Sequence, residues 1–311
     1  MYLNNSLFKR FVSLANLKRK MHQGHQNECL IDCNRPLFSW SFYQPLSTGL
    51  ILLSCSFNAY SSDTVDIYVS PSIQTERLLH LQYSAPVRVS QILQDSLQNL
   101  DKLSLPNGQN TSAVYWTNAS LFTQKSDSHI SALKRRVLNN MSVIYHMLGS
   151  TTEKASFDAY RSWLSTLTTQ KRAMYALDFD AVRVKTENNP ELANDMLLVL
   201  PPRPNSVKIV GAISETIYTS RQSGFLQRPW TERSNAADYL KSLVRFQAAD
   251  SSYVWVIQPD GETEQHPVAY WNSEHKDIAP GAIIYVPFAS LPDGAAFFND
   301  KMIALLRNSA L

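Results

Sequence analysis

The segment from Ser252 to Phe288 constrains the fold of this chain more than any other part of its sequence. Its apolar runs 253–257 and 282–288 are rich in β-branched and aromatic residues, as buried strands are. Between them, Pro259-Asp260-Gly261 predicts a tight turn, because proline presets φ and glycine supplies a positive φ. Residues 266–271 then predict a returning partner strand. The segment predicts a small sheet unit without a catalytic signature, which favours a binding or assembly protein.

The rest of the body predicts an α+β protein with two tandem β-grasp domains, because the order strand, strand, helix, strand occurs twice. In the first half, a helix begins at Val89 and strands are predicted at 65–69, 77–83, 114–116, 182–184 and 196–200. The stiff segment 201–204, Pro-Pro-Arg-Pro, is the predicted boundary. Beyond it, strands at 207–210 and 216–219 and a helix from Ala236 precede the sheet unit described above.

Two further helical patterns stand apart from these domains. Apolar residues recur with helical spacing over 130–148 and again over 157–167, and the short loop between them predicts an antiparallel hairpin at about 127–168. We expect the hairpin to be inserted in the first domain, with the aromatic stripe of its second helix in the interior. The chain ends in a predicted amphipathic helix within 291–311, whose apolar stripe must be covered by the second domain or by a partner.

The N-terminal region has the order of a secretory leader. Residues 1–55 hold six basic and two acidic residues, which leaves 23 basic and 24 acidic residues in the body, so the body lacks the positive charge of a nucleic-acid binder. The apolar segment 46–57 is too short to span a bilayer and is followed by small residues near Ala59. The alternatives are a buried strand or an uncleaved anchor.

The positions of the cysteines support a second prediction about this leader. The motif Leu52-Leu53-Ser54-Cys55 resembles a lipobox, so lipidation of Cys55 is an alternative to cleavage near Ala59. All three cysteines lie in the leader, so the body has no disulfides and its stability must come from packing. The predicted location is the periplasm, either free or anchored to the outer membrane through Cys55.

Few residues of the body suggest chemistry, and we predict no catalytic residue, no metal site and no cofactor. The common hydrolase, zinc-protease and phosphate-loop motifs are absent from the sequence. Asp178 and Asp180 would share a side of an extended strand and could form a glycosidase pair, which is the enzymatic alternative. Arg172 follows the hairpin and is the candidate for binding an acidic sugar or a partner carboxylate, although a solvated loop arginine is the simpler interpretation.

Three stretches resemble a known family: NPELANDMLLVLPPRPNSVKIVGAIS at 189–214, VIQPDGETEQHPVAYWN at 256–272 and PGAIIYVPF at 280–288. They are similar to the GfcC-like family of bacterial capsule-biosynthesis proteins, including its YjbG relatives, over roughly residues 65–308. The resemblance implies two β-grasp (SLBB-like) domains similar to those of the polysaccharide exporter Wza, with a helical-hairpin insert and a C-terminal amphipathic helix. It also implies a periplasmic role in making or exporting an extracellular polysaccharide, without enzymatic activity.

The leading hypothesis is therefore a non-enzymatic accessory protein for capsule or exopolysaccharide biosynthesis or export. Its expected partners are the export machinery at the outer membrane and, as a second candidate, the polysaccharide itself, with no nucleic acid. The expected partner contacts on the last helix are Phe297, Phe298, Met302 and Leu306. The alternatives are a polysaccharide-modifying enzyme and a generic periplasmic scaffold. The predicted divisions are a leader at 1–59, domains at 60–203 and 204–290, and the helix at 291–311.

Overall fold

The computed structural model describes residues 64–73, 79–84, 86–99, 114–214 and 224–309, all within one compact unit of residues 59–311. The predicted leader, Cys55 included, lies outside these residues, as does the strand predicted at 216–219. Within the described ranges, no helix is both long enough and apolar enough to cross a membrane.

The first sheet has five strands in the order β2-β1-β7-β4-β5, and a two-stranded ladder joins β3 to β6. The strands are β1 (Val65–Ser70), β2 (Leu79–Tyr83), β3 (Val87–Arg88), β4 (Ser120–Thr123), β5 (Arg172–Ala173), β6 (Glu191–Leu192) and β7 (Met196–Val199). The helices of this part are α1 (Val89–Gln98), α2 (Ser128–Tyr145), α3 (Thr151–Thr166) and α4 (Phe179–Val184). β1 and β7 run parallel, and every other pair in the five-stranded sheet is antiparallel.

The second sheet repeats this plan in the order β10-β8-β14-β12-β13, and a short ladder joins β9 to β11. Its strands are β8 (Ser206–Gly211), β9 (Ile213–Ser214), β10 (Leu226–Pro229), β11 (Val244–Arg245), β12 (Tyr253–Ile257), β13 (Thr263–Pro267) and β14 (Ile283–Val286). The helices are α5 (Ala236–Leu240) and α6 (Phe298–Arg307). β8 and β14 are the parallel pair, so both sheets have the same order and directions. The predicted α+β fold with two tandem sheet units is confirmed.

Three predicted strands differ from the observed elements. Residues 182–184 belong to α4, because Asp178 caps that helix by accepting hydrogen bonds from the backbone N–H groups of Asp180 and Ala181. Within the segment 114–116, Val114 makes one isolated bridge and Trp116 begins a 3₁₀ turn, and the strand follows at β4. The strand predicted at 266–271 is β13, which ends at Pro267 and is followed by the 3₁₀ turn Tyr270–Asn272.

The helical hairpin α2–α3 covers the second sheet, although its sequence is inserted between β4 and β5 of the first. Buried residues of both helices form one core with residues of β8, β12 and β14. The Phe157 ring lies 5.9 Å from Phe288 and 6.4 Å from Phe246, and the Trp163 ring lies 5.5 Å from Phe225. The aromatic stripe is therefore interior, as expected, but the second half of the chain supplies many of its partners. The first sheet has a separate core that includes residues of α1 and α4.

The C-terminal helix α6 packs against α2 and β12. Phe298, Met302 and Leu306 are fully buried in the chain's own core, so the partner-binding prediction is wrong for these three residues. Phe297 is 67% exposed and remains a candidate partner contact. Asn299 fastens the start of the helix: its Oδ1 accepts a hydrogen bond from the Tyr285 hydroxyl at 2.7 Å, and its Nδ2 donates to a backbone carbonyl beyond β14.

Candidate functional site

A cleft of about 480 Å³ lies where α6, β5, the β12–β13 hairpin and the start of α2 come together. Its walls therefore come from four segments of the chain that are distant in sequence. The lining residues are Asp127, His129, Ile130, Lys171, Arg172, Met174, Trp255, Thr263, Asp300, Ile303, Ala304, Arg307 and Asn308.

Arg172, the sequence-predicted ligand residue, is held at this cleft by contacts from both sides. Its backbone N–H donates to Oδ1 of Asn308 at 2.9 Å, and Gln170 N–H donates to the backbone oxygen of the same asparagine at 3.0 Å. The end of α6 is thereby joined to β5. The side chain of Arg172 is 9% exposed and donates from Nη2 to the backbone oxygen of Pro259 at 2.6 Å. The interpretation as a solvated loop arginine is therefore wrong.

The turn at 259–261 packs directly against the Arg172 guanidinium. Gly261 has φ +91°, which confirms the positive φ predicted for this glycine. A Cβ at Gly261 would lie 3.2 Å from Cζ, Nε and Nη1 of Arg172. The glycine therefore serves two purposes, because it permits the turn and lets the backbone approach the guanidinium group closely.

Burial dominates the electrostatics of Arg172. Removal from water is the main cause that lowers the pKa of its guanidinium, the Asp260 carboxylate opposes this effect and the positive charge of Arg307 adds to it, and together they bring the pKa to about 10. The group is therefore charged at neutral pH. Among the described residues, no carboxylate lies within ion-pair distance of Arg172. A buried cation without a paired anion is costly, so this geometry is typical of a site that receives an anion.

The remaining charged groups of the cleft differ in whether they have partners within the chain. Asp127 caps α2, and hydrogen bonds from the backbone N–H groups of Ile130 and His129 lower the pKa of its carboxyl group. Lys171 lies 3.8 Å from the same carboxylate. In contrast, Nε of Arg307 is buried without a hydrogen-bond partner. Arg307 therefore keeps one donor that has no partner in the chain.

Asp178 and Asp180 do not form the facing pair that the enzymatic alternative requires. Both side chains are exposed, and neither lines the cleft. Asp178 is the N-cap of α4 and Asp180 lies in the first turn of that helix. Residues two apart in a helix point in different directions, whereas our expectation of a shared side assumed an extended strand.

The run 253–257 is predicted to be a buried strand, and Ile257 is buried as this requires, whereas Trp255 is only half-buried and forms a wall of the cleft. Trp255→Ala is therefore expected to lower the free energy of unfolding by about 1–2 kcal/mol, less than the ~3–5 kcal/mol of a fully buried tryptophan. Urea denaturation followed by circular dichroism measures the change. Ile257→Ala is the matched control on the same strand, with an expected loss of about 2–5 kcal/mol. A larger loss for Trp255→Ala than for Ile257→Ala would contradict this assignment.

Two comparisons with known proteins bear on this architecture. The N-terminal sequence model of the capsule-biosynthesis protein GfcC matches residues 61–203, and the C-terminal model of the same protein matches residues 224–310. The chain belongs to the GfcC capsule-biosynthesis family. It is also 37% identical over 140 residues to the uncharacterized protein YjbG of Escherichia coli strain K12. That match covers 45% of this chain and 54% of YjbG, so it spans about half of the relative's length.

The residues around the cleft come from both segments that the GfcC models match. Asp127 and Arg172 lie in the N-terminal match, whereas Trp255, Gly261 and Arg307 lie in the C-terminal match. Sequence reasoning found Arg172 and the turn at 259–261 separately but missed that one packs on the other. It also missed Arg307 and Asn308, which the amphipathic pattern placed on the polar face of the last helix. The only signal for them is that polar face itself, which does not show what the side chains contact.

Proposed function

We propose that this member of the GfcC family is a non-enzymatic accessory protein that acts in the periplasm during capsule or exopolysaccharide biosynthesis or export. We further propose that its cleft binds an acidic sugar unit of that polysaccharide. The observation that carries the proposal is the buried guanidinium of Arg172, which lies at the cleft without a carboxylate partner among the described residues.

The surroundings of Arg172 suit a sugar carboxylate. A guanidinium presents a planar fork of donors that matches a carboxylate, and Arg307 adds a second positive charge to the cleft lining. Trp255 and Ile303 supply apolar walls, and Thr263 supplies a hydroxyl group. The volume of about 480 Å³ falls within the roughly 300–1,000 Å³ of small-ligand clefts.

The carboxylates of the cleft support a binding role over catalysis. Glycoside hydrolysis needs one carboxyl group as a proton donor and another as a base or nucleophile. Asp127 is engaged as a helix cap, with Lys171 beside it, which leaves Asp300 as the remaining carboxylate of the lining. An arginine that stays protonated binds and orients an anion but does not accept a proton.

A contact with the export machinery at the outer membrane is the second part of the proposal. Phe297 is exposed at the start of α6, and the exposed Val143 and Met147 lie on or just beyond α2, against which α6 packs. Exposed apolar side chains on two helices that pack together are candidates for a protein-binding surface. Lipidation of Cys55 would hold the chain at the outer membrane, and cleavage near Ala59 would release it.

Binding of acidic oligosaccharides tests the cleft. Oligosaccharides from partial hydrolysis of the host's own extracellular polysaccharide are titrated into the full chain by calorimetry. Arg172→Gln is expected to weaken binding at least about thirtyfold, because loss of one partner of a desolvated charge pair removes about 2 kcal/mol or more. Arg172→Lys should also bind weakly, since it retains the charge but loses the planar fork of donors.

Two controls accompany this test. Arg136→Gln removes an exposed arginine of α2 and should leave binding unchanged. Oligosaccharides whose carboxyl groups have been chemically reduced to alcohols should lose the contribution of Arg172.

In a deletion strain, the Arg172→Gln protein should be present at normal levels but fail to restore secreted polysaccharide. Unchanged binding in both Arg172 variants, with normal melting temperatures, would refute the cleft assignment.

A further inference from the structure

The turn after β13 exposes two large aromatic side chains beside each other. Tyr270 is 91% exposed and Trp271 is 61% exposed. Their ring centroids lie 5.0 Å apart with an interplanar angle of 88°, so the two rings form a corner. Large aromatic rings are normally at least partly buried, so an exposed pair is a candidate for a binding surface.

The backbone that carries this pair is fixed by hydrogen bonds. Asn272 Oδ1 accepts from the backbone N–H of Ala269 at 3.1 Å, and its Nδ2 donates to the backbone oxygen of Ser252 at 3.0 Å. The same oxygen accepts a hydrogen bond from Val268 N–H at 2.9 Å. The 3₁₀ turn is therefore tied to the residue that precedes β12. A platform that is rigid before binding loses little entropy when a ligand arrives.

A polar groove of about 370 Å³ adjoins the turn. Tyr253 contributes a partly exposed aromatic ring, and Gln265 and Asn272 contribute amide donors and acceptors. Lys276 lies across the edge of β13, where its Nζ donates to the backbone oxygen of Gln265 at 3.0 Å. The groove thus combines an aromatic surface with hydrogen-bonding groups, the combination that a sugar ring needs for its apolar faces and its hydroxyl groups.

The charges of this groove differ from those of the Arg172 cleft. The lining contains two glutamates, Glu264 and Glu274, and one lysine, Lys276, so it has one more acidic than basic group. An anionic sugar is disfavoured by such a lining, whereas an uncharged sugar is not.

The alternation of side chains along β12 connects the two sites, because Tyr253 and Trp255 are two residues apart on this strand and face the same side of the sheet.

We propose that Tyr270, Trp271 and the adjoining groove form a second carbohydrate subsite, which takes uncharged pyranose units by stacking. The C–H groups on a sugar-ring face carry partial positive charge, and an aromatic face carries partial negative charge, so the two faces attract each other. This subsite rests on the proposed function, because it supplies the neutral part of a ligand whose acidic part enters the Arg172 cleft. We favour a sugar over a protein partner because the rings adjoin a concave groove of small-ligand size with polar side chains.

Fluorine NMR of the full chain labelled with 5-fluorotryptophan tests this subsite separately from the cleft. The chain has six tryptophans, of which Trp255 reports on the cleft and Trp271 on the turn. Each resonance is assigned by its Trp→Phe variant. The probes are native oligosaccharides of the host's extracellular polysaccharide and the same oligosaccharides after carboxyl reduction. We expect both probes to shift the Trp271 resonance, and only the native probe to shift the Trp255 resonance strongly.

Affinity measurements complete the test. Trp271→Ala should weaken binding of the carboxyl-reduced probe roughly tenfold, the upper range for an aromatic contact of this kind. Val184→Ala, which removes an exposed apolar side chain from α4, should leave binding unchanged. A Trp271 resonance that no probe moves at saturating concentration overturns the subsite, even if Trp255 responds and the proposed function stands. If Trp271 responds and Trp255 does not, the cleft assignment fails and the subsite stands. Loss of a protein partner in Trp271→Ala, with sugar binding unchanged, also overturns it.

Discussion

Replacing Phe298 with alanine is expected to lower the free energy of unfolding by about 3–5 kcal/mol, among the largest single-residue losses in this chain. The side chain is fully buried at the start of α6, and its ring lies 5.9 Å from that of Phe288. Phe288 in turn contacts Phe157 of α3 and Phe246. The substitution would leave a cavity where the C-terminal helix, the hairpin and the second sheet meet, and rigid surroundings fill such a cavity poorly.

The neighbouring residue provides the matched control. Phe297 has the same side chain but is 67% exposed, so Phe297→Ala should change stability by only about 0.5 kcal/mol. Urea denaturation of the full chain, followed by far-ultraviolet circular dichroism, measures both variants. Similar losses for the two variants would show that α6 is not docked as described. Reduced polysaccharide export by Phe297→Ala, with its stability intact, would support the partner contact proposed for this residue.

Gly211→Ala is expected to lower the free energy of unfolding by about 2–6 kcal/mol, the combined effect of a strained positive φ and an overpacked core. Gly211 ends β8 with φ +107° and lies opposite Val286 in the parallel pair at the centre of the second sheet. A Cβ there would lie 2.3 Å from the backbone oxygen of Val286 and 2.9 Å from the ring of Tyr285. That oxygen accepts a hydrogen bond from Ala212 N–H at 2.9 Å, so it cannot move away without cost.

Gly149→Ala is the control for this substitution. Gly149 lies between α2 and α3, its φ is not in the left-handed region, and a Cβ there would have no atom within 4 Å. The change should alter stability by no more than about 1 kcal/mol, with a gain expected because alanine restricts the unfolded chain. Thermal unfolding of both variants gives the comparison. A melting temperature of Gly211→Ala equal to that of the unaltered chain would contradict the close approach of β8 and β14.

Local sequence signals predicted many elements correctly where a periodicity and a cap agreed. The 3.6-residue pattern of α2 and α3 is reinforced by Asp127 and Ser150, whose side chains cap the two helices. Prediction failed at 182–184, where two β-branched residues suggested a strand. The cap formed by Asp178 starts a helix there, and Val182 packs its side chain into the first core from that helix. The strand preference of two β-branched residues is easily overridden by a helix cap and by tertiary packing.

The sequence by itself determined the two sheet units, the hairpin, the amphipathic last helix and the family, because periodicity, turn residues and motifs are local properties of a chain. Only the tertiary structure decided that the hairpin inserted in the first sheet covers the second. It also decided that Arg172 meets the backbone of Pro259, 87 residues away. Periodicity shows which face of an element is apolar but not which surface covers that face. A polar contact between distant segments has no local pattern at all, so the cleft around Arg172 emerges only when the elements are packed together.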